Sequence, residues 1–190
     1  MEMKKAAVRS VIIIVILVLS LVIGAAYNRM WYNIDLQNYP REYSALVSTY
    51  AAEYGVPEYV IYAVIKTESD FQSNFVGEDG RIGLMQLSKP TFRRLLAMNK
   101  ASLDEGILYD PATNIEYGAY YLSYLYTEYN RWTTVFAAYA TDKETVDKWL
   151  SDPEFIDEKG NLEVILDEEV LEFVENVNET IVMYKTLYYS

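Results

Sequence analysis

Sixteen residues from Val11 to Ala26, VIIIVILVLSLVIGAA, are apolar apart from Ser20. At about 1.5 Å of helix rise per residue this run nearly spans the hydrocarbon core of a bilayer. Ala6-Ala7-Val8 before it and Tyr27 after it extend it further. Lys4, Lys5 and Arg9 precede it, and basic flanks stay on the cytoplasmic side. The expectation is therefore a cytoplasmic segment over 1–10, a transmembrane anchor over 11–26 and an exported body. A cleaved signal peptide is the alternative, with Gly24-Ala25-Ala26 as the small-residue site and a secreted product. Residues 27–40, YNRMWYNIDLQNYP, are expected to form a short linker ending at Pro40.

The remaining body is about one domain in length. Its chemistry is limited by what it lacks. There is no Cys and no His, which excludes disulfides, Cys nucleophiles, Ser-His triads and most zinc sites. Catalysis must then run on carboxylates, hydroxyls, amides or lysines. The formal charge is −12, and since Lys4, Lys5 and Arg9 outnumber Glu2 in the first ten residues, the body carries −14. No basic cluster is visible, so no nucleic-acid partner is expected.

Hydrophobic spacing makes the body mostly helical. Tyr43, Leu46, Val47, Tyr50, Ala51 and Tyr54 define a first helix, which Gly55 stops. Pro57 opens a second helix that runs to about Glu68. Residues 72–83, QSNFVGEDGRIG, match neither a dinucleotide-binding nor a P-loop spacing. They are expected to form a tight loop with at most a small β-hairpin. Further helices are expected from near Pro90, from Asp110-Pro111 to about Tyr129, over about 133–140 and over about 144–150. A polar, acidic connector follows. The last helix carries an apolar stripe of Val170, Val174, Val177, Ile181, Tyr184 and Tyr188. Asn178-Glu179-Thr180 matches a glycosylation sequon, but within a helix it is taken as chance.

Glu68 stands out. It ends the apolar run Val60-Ile61-Tyr62-Ala63-Val64-Ile65 and shares a helix face with Ile61, Val64 and Ile65. Either it escapes to water at the helix end or it is held in an apolar wall. Burial raises a carboxyl pKa, and a carboxylic acid kept protonated near neutral pH can protonate a glycosidic oxygen.

The surrounding motifs carry a resemblance. They are Glu68-Ser69-Asp70-Phe71, then Gly80-Arg81-Ile82-Gly83-Leu84-Met85-Gln86-Leu87-Ser88-Lys89-Pro90-Thr91, then Asn114-Ile115 with Gly118 and Tyr121-Leu122, then Ala137-Ala138-Tyr139. In this order and spacing they resemble the SLT-type catalytic domain of lytic transglycosylases, a goose-type lysozyme-like fold, over about residues 40–150. Glu169 and Phe173-Val174 loosely echo that family's last helix. The resemblance implies a mostly α, lysozyme-like domain over 41–190. It also implies cleavage of the bond between N-acetylmuramic acid and N-acetylglucosamine in bacterial peptidoglycan, outside the cell membrane. Glu68 would be the catalytic acid/base. It would first protonate the leaving oxygen and then take the proton from the sugar's 6-hydroxyl, leaving a 1,6-anhydro end. No metal or organic cofactor is implied. The implied partners are glycan strands and the membrane.

The same resemblance implies substrate contacts from Ser69, Gly83, Met85, Gln86 and Tyr139. Gln86 offers both a donor and an acceptor, as an acetamido or hydroxyl contact needs. Met85 and Leu84 also read as packing, and Ser69 reads equally as a cap. Tyr139 resembles the family tyrosine that reaches toward the catalytic carboxyl. Of the nineteen tyrosines, one or two are expected at the cleft. Glu78 and Asp79 read as solvated turn residues.

Three positions depart from the family pattern. Ala140 stands where an Asn is usual, Gly77 where a Ser is common, and Arg81 where a small residue follows the loop glycine. Arg81 is expected to be solvated or to meet a peptide-stem carboxylate. Two further readings stay open: a hydrolytic muramidase, which needs a second carboxylate to position water, and an inactive peptidoglycan-binding scaffold.

Overall fold

The computed structural model describes residues 2–189, with side chains from residue 12 onward apart from residue 13. The side chains of Lys4, Lys5 and Arg9 lie outside the described set. The chain divides into two compact units, Met1–Pro40 and Arg41–Ser190.

The first unit is one helix, α1 (Glu2–Asn38). Its stretch Ile14–Asn38 is long and apolar enough to cross a membrane. The segment expected as a linker is thus helical as far as Asn38. Nothing in YNRMWYNIDLQN breaks a helix, and the first proline after it is Pro40.

Among the described residues, the second unit holds seven α-helices. They are α2 (Ser44–Tyr54), α3 (Glu58–Ser69), α4 (Lys89–Met98), α5 (Pro111–Tyr129), α6 (Trp132–Ala140), α7 (Lys143–Leu150) and α8 (Glu168–Tyr188). A 3₁₀ turn at Glu105–Tyr109 precedes α5; its sequence, EGILY, has no apolar period that marks it. The caps explain the starts. Ser88, Asp110, Asp142 and Asp167 each accept backbone N–H groups in the first turn of α4, α5, α7 and α8. The described residues contain no β-strand, only isolated bridges joining Val76 to Ile82, Ile82 to Leu87 and Ile156 to Leu162. In the 72–83 loop the small hairpin amounts to the Val76–Ile82 bridge, with Ile82 also bridging to Leu87.

Helix α3 is the centre of the fold. Val60 through Ile65 are all fully buried, six consecutive positions covering every face. A helix apolar all round belongs inside a core, and each such side chain stabilises by about 1.5–3 kcal/mol. Helix α8 packs along α3, and α5 joins α2 to α6. The apolar stripe of α8 supplies Val170, Val174, Val177 and Tyr184 to the core.

Candidate active site

Glu68 sits one residue before the end of α3. The helix stops there because Asp70 and Phe71 both take left-handed backbone conformations, φ 47° and 64°. Non-glycine residues adopt this region at a cost, and such positions cluster at functional sites. The turn sends the chain into the 72–88 segment, which folds back over the end of α3.

That segment is tied down from three helices. From α3, the Ser69 hydroxyl donates to the Leu84 carbonyl at 2.8 Å. From α5, the Asn114 amide accepts from the Met85 N–H at 2.7 Å and donates to the carbonyls of Ile82 and Leu108. From α6, the Tyr139 hydroxyl donates to the Met85 carbonyl at 2.7 Å. Two glycines allow the close approach. A Cβ on Gly83 would lie 2.8 Å from the Asn114 Cγ, and its φ of 83° suits glycine anyway. A Cβ on Gly118 would lie 2.8 Å from the Met85 Cε.

The resulting cleft has a volume of about 370 Å³. Glu68, Gln86 and Arg81 line it, with Phe75 and Asp79 from the loop and Glu169 and Phe173 from α8. Glu68 is half-buried, and its Oε1 is enclosed without a hydrogen-bond partner. Burial pushes its carboxyl up to about 8; Arg81 opposes the shift and Asp79 adds to it. Glu68 therefore does not escape to open water: it stands at the end of the apolar α3, facing a cleft it shares with Arg81 and Asp79, and burial favours its protonated form at neutral pH.

Of the five residues expected at the substrate, only Gln86 lines this cleft. It takes a left-handed conformation, φ 47°. Its Nε2 donates to the carbonyls of Gly83 and Phe75 at 2.7 and 3.1 Å. Ser69, Gly83, Met85 and Tyr139 stand behind the wall, where they hold the loop. Tyr139 is buried; burial and the neighbouring Glu68 charge push its phenol well up. It borders a small adjoining cavity.

Arg81 differs from expectation. It is not solvated: its guanidinium donates to the carbonyls of Tyr139 and Ala140 at the end of α6 and pairs with Asp79 at 2.7 Å. Two departures from the family pattern thus meet, since Arg81 bonds the backbone of Ala140. Asp79 is an exposed turn residue, as expected, and also the ion-pair partner of Arg81. At Gly77, a Cβ would lie 2.8 Å from the Gln86 Oε1 and 3.0 Å from the Asp79 Oδ1, so a serine there would need the tips of these two side chains to shift.

Residues 45–160 match the model of the transglycosylase SLT domain. The chain belongs to that family. Among relatives of this SLT protein, the membrane-bound lytic murein transglycosylase C of Yersinia enterocolitica is 37% identical over 91 residues, 46% of this chain and 25% of the relative. The lytic transglycosylase Slt of Pseudomonas aeruginosa, solved as an inactive glutamate-to-glutamine mutant, superposes with a TM-score of 0.71 at 26% identity. That superposition covers 86% of this chain and 29% of the other. A 70-kDa soluble lytic transglycosylase in complex with bulgecin A gives a TM-score of 0.75 at 25% identity, covering 88% and 30%. The SLT chain thus spans about a quarter of the length of the curated relatives it matches. The lysozyme-like fold expected from sequence is the one observed.

The structure adds residues that sequence reasoning left without a role. Asn114 is fully buried on the core face of α5, alongside Gly118, Tyr121 and Leu125. A polar residue on such a stripe was the available signal. Phe75 had no signal, because the loop alone decides that its ring lines the cleft. The aromatic side chains lining the main cleft are Phe75 and Phe173, not tyrosines.

Proposed function

We propose that this SLT protein is a peptidoglycan lytic transglycosylase with Glu68 as its single acid/base. The observation that carries the reading is a cleft carboxyl held protonated by burial, with one oxygen free of any protein partner. As an acid, Glu68 gives its proton to the glycosidic oxygen between N-acetylmuramic acid and N-acetylglucosamine, and the C1–O bond breaks. As a carboxylate, it then takes the proton of the muramic 6-hydroxyl while that oxygen bonds C1. The proton balance closes on Glu68, no water enters, and the product ends in a 1,6-anhydro ring. Positioned proton transfer of this kind contributes about 10²–10⁴-fold. Gln86 is the polar side chain beside Glu68 that meets the glycan; Ser69, Gly83, Met85 and Tyr139 set the loop that carries it. The expected role is cell-wall remodelling.

Similarity to relatives named membrane-bound and to an inactive glutamate-to-glutamine mutant supports this reading. We place the catalytic domain, residues 41–190, outside the membrane, with α1 as a single crossing. Tyr27, Trp31 and Tyr32, all exposed, suit the outer interface of such a span. The chain has no Cys, so Ser44→Cys and Ser10→Cys report sidedness by labelling of intact cells with an impermeant maleimide. Label on the second and not the first would reverse the orientation.

The activity test is digestion of purified peptidoglycan by the detergent-solubilised full chain beside Glu68→Gln, with products identified by mass spectrometry. Anhydro-ended muropeptides from the parent alone are expected. Reducing ends, heavier by one water, would show hydrolysis, and Glu169 in the same cleft is the carboxylate to test for positioning that water. Glycan binding with no product from either chain would show a clamp.

A further inference from the structure

We propose that Phe75 is a sugar-stacking platform in the cleft and sets how tightly the glycan is held. This rests on the glycan being the ligand of the Glu68 cleft.

Phe75 does less for the fold than a core ring such as Phe92, which is fully buried. Phe75 is 41% exposed, so it forgoes a large part of the stabilisation that a buried ring would bring. Among the described residues it makes no ring–ring contact, whereas Tyr139, nearby in the wall, stacks with both Tyr121 and Phe173. Yet its backbone is pinned. The Phe75 N–H donates to the Gln72 carbonyl at 3.2 Å, and its carbonyl accepts from the Gly83 N–H at 2.9 Å. The third bond comes from Gln86 Nε2 at 3.1 Å. An exposed aromatic ring on a held backbone, lining a cleft with the reactive carboxyl, is the arrangement of a binding wall.

The chemistry of the ligand fits. A β-1,4-linked amino sugar in its chair form carries its polar substituents around the rim and presents C–H groups on its faces. Such a face suits an aromatic ring, and the N–H and O–H groups on the rim suit Gln86 Oε1 and Thr141 Oγ1 as acceptors, since the protons of both groups already go to protein carbonyls. Because the Gln86 amide holds the Phe75 carbonyl, ring and amide keep one register relative to each other. Phe173 supplies a second ring from α8, parallel within 5° to Tyr139 behind it at 6.4 Å.

The test uses the full chain in detergent with soluble muramic acid–glucosamine oligosaccharides. Phe75→Ala should raise KM about tenfold and leave kcat within about twofold, the pattern of lost uniform binding. Its melting temperature should fall far less than that of the core substitution Phe92→Ala. Phe75→Trp should restore KM and Phe75→Leu should not, since leucine keeps apolar area but loses the ring. An unchanged KM in Phe75→Ala, or full restoration by Leu, overturns the proposal. Binding to insoluble peptidoglycan by Glu68→Gln, with and without Phe75→Ala, separates the two readings. A parent that binds but yields no product defeats the catalytic reading alone, and the binding pair still decides Phe75. Equal binding by the pair defeats the platform alone. A parent that neither binds nor cleaves defeats both.

Discussion

The side-chain amide of Asn114 accepts the Met85 backbone N–H at 2.7 Å and is itself wholly buried. Through this bond, helix α5 sets the height of the loop that carries Gln86. Asn114→Ala would leave the Met85 N–H without its acceptor and take one donor from each of the Ile82 and Leu108 carbonyls. Orphaned buried groups cost about 1–3 kcal/mol each, though the Ile82 carbonyl keeps its bond from the Leu87 N–H. The expected loss of stability is about 2–4 kcal/mol, measured by denaturant unfolding. Activity should fall with it even below the melting temperature.

Glu68 makes stability depend on pH in an unusual direction. Its folded carboxyl titrates at about 8, far above the unfolded value of about 4.3. The folded state therefore binds a proton that the unfolded state has released. Stability from this group is full below the unfolded pKa and is lost as pH rises toward 8. Glu68→Gln mimics the neutral acid. It should match the parent near pH 4 and exceed it at pH 9 by an amount on the order of a few kcal/mol. Thermal melts of both chains at the two pH values check this.

Activity should show the same ionisation. The first step needs the protonated acid, so kcat/KM should fall as pH rises past about 8. Arg81 draws this value down. Arg81→Gln removes the cation and should move the alkaline limb to higher pH, in the same direction as the lost attraction. It should also loosen the loop from the end of α6, because the bonds to the Tyr139 and Ala140 carbonyls go with it. A pH–rate profile distinguishes the two effects: loosening lowers the plateau, and charge removal shifts the limb.

Gly118 gives a packing test at a distance from the cleft surface. A methyl there would press on the Met85 side chain, with 2.8 Å to its Cε. Overpacking of this kind costs about 1–3 kcal/mol. Gly118→Ala should lower the melting temperature and reduce kcat, and Met85→Ala in the same chain should recover part of the stability by making room. A double-mutant cycle measures that coupling.

Much of this was legible beforehand because it rests on local chemistry. Helix α5 is marked by Asp110-Pro111 at its start and by apolar spacing through its length. Glu68 is marked by the apolar face it shares with Ile61, Val64 and Ile65. Loop residues were less legible. Met85 and Gln86 are adjacent, yet Met85 points into α5 and Gln86 into the cleft, a division made by left-handed backbone at Gln86 that no sequence period encodes. Arg81 could not be placed because its partners are carbonyls on α6, fifty-eight residues and more away.

By itself the sequence determined the long apolar N-terminal helix, the helices of the body, the lysozyme-like family and the identity of the buried carboxyl, because spacing, caps and motif order act between neighbours in the chain. Only the tertiary structure decided which side chains face the cleft and which brace it. It turned Ser69, Gly83, Met85 and Tyr139 inward, brought Arg81 to Asp79 and the end of α6, and left Phe75 exposed beside Glu68. Those outcomes depend on groups far apart in sequence meeting across α3, α5, α6 and α8, where burial and unpaired backbone groups set the energies.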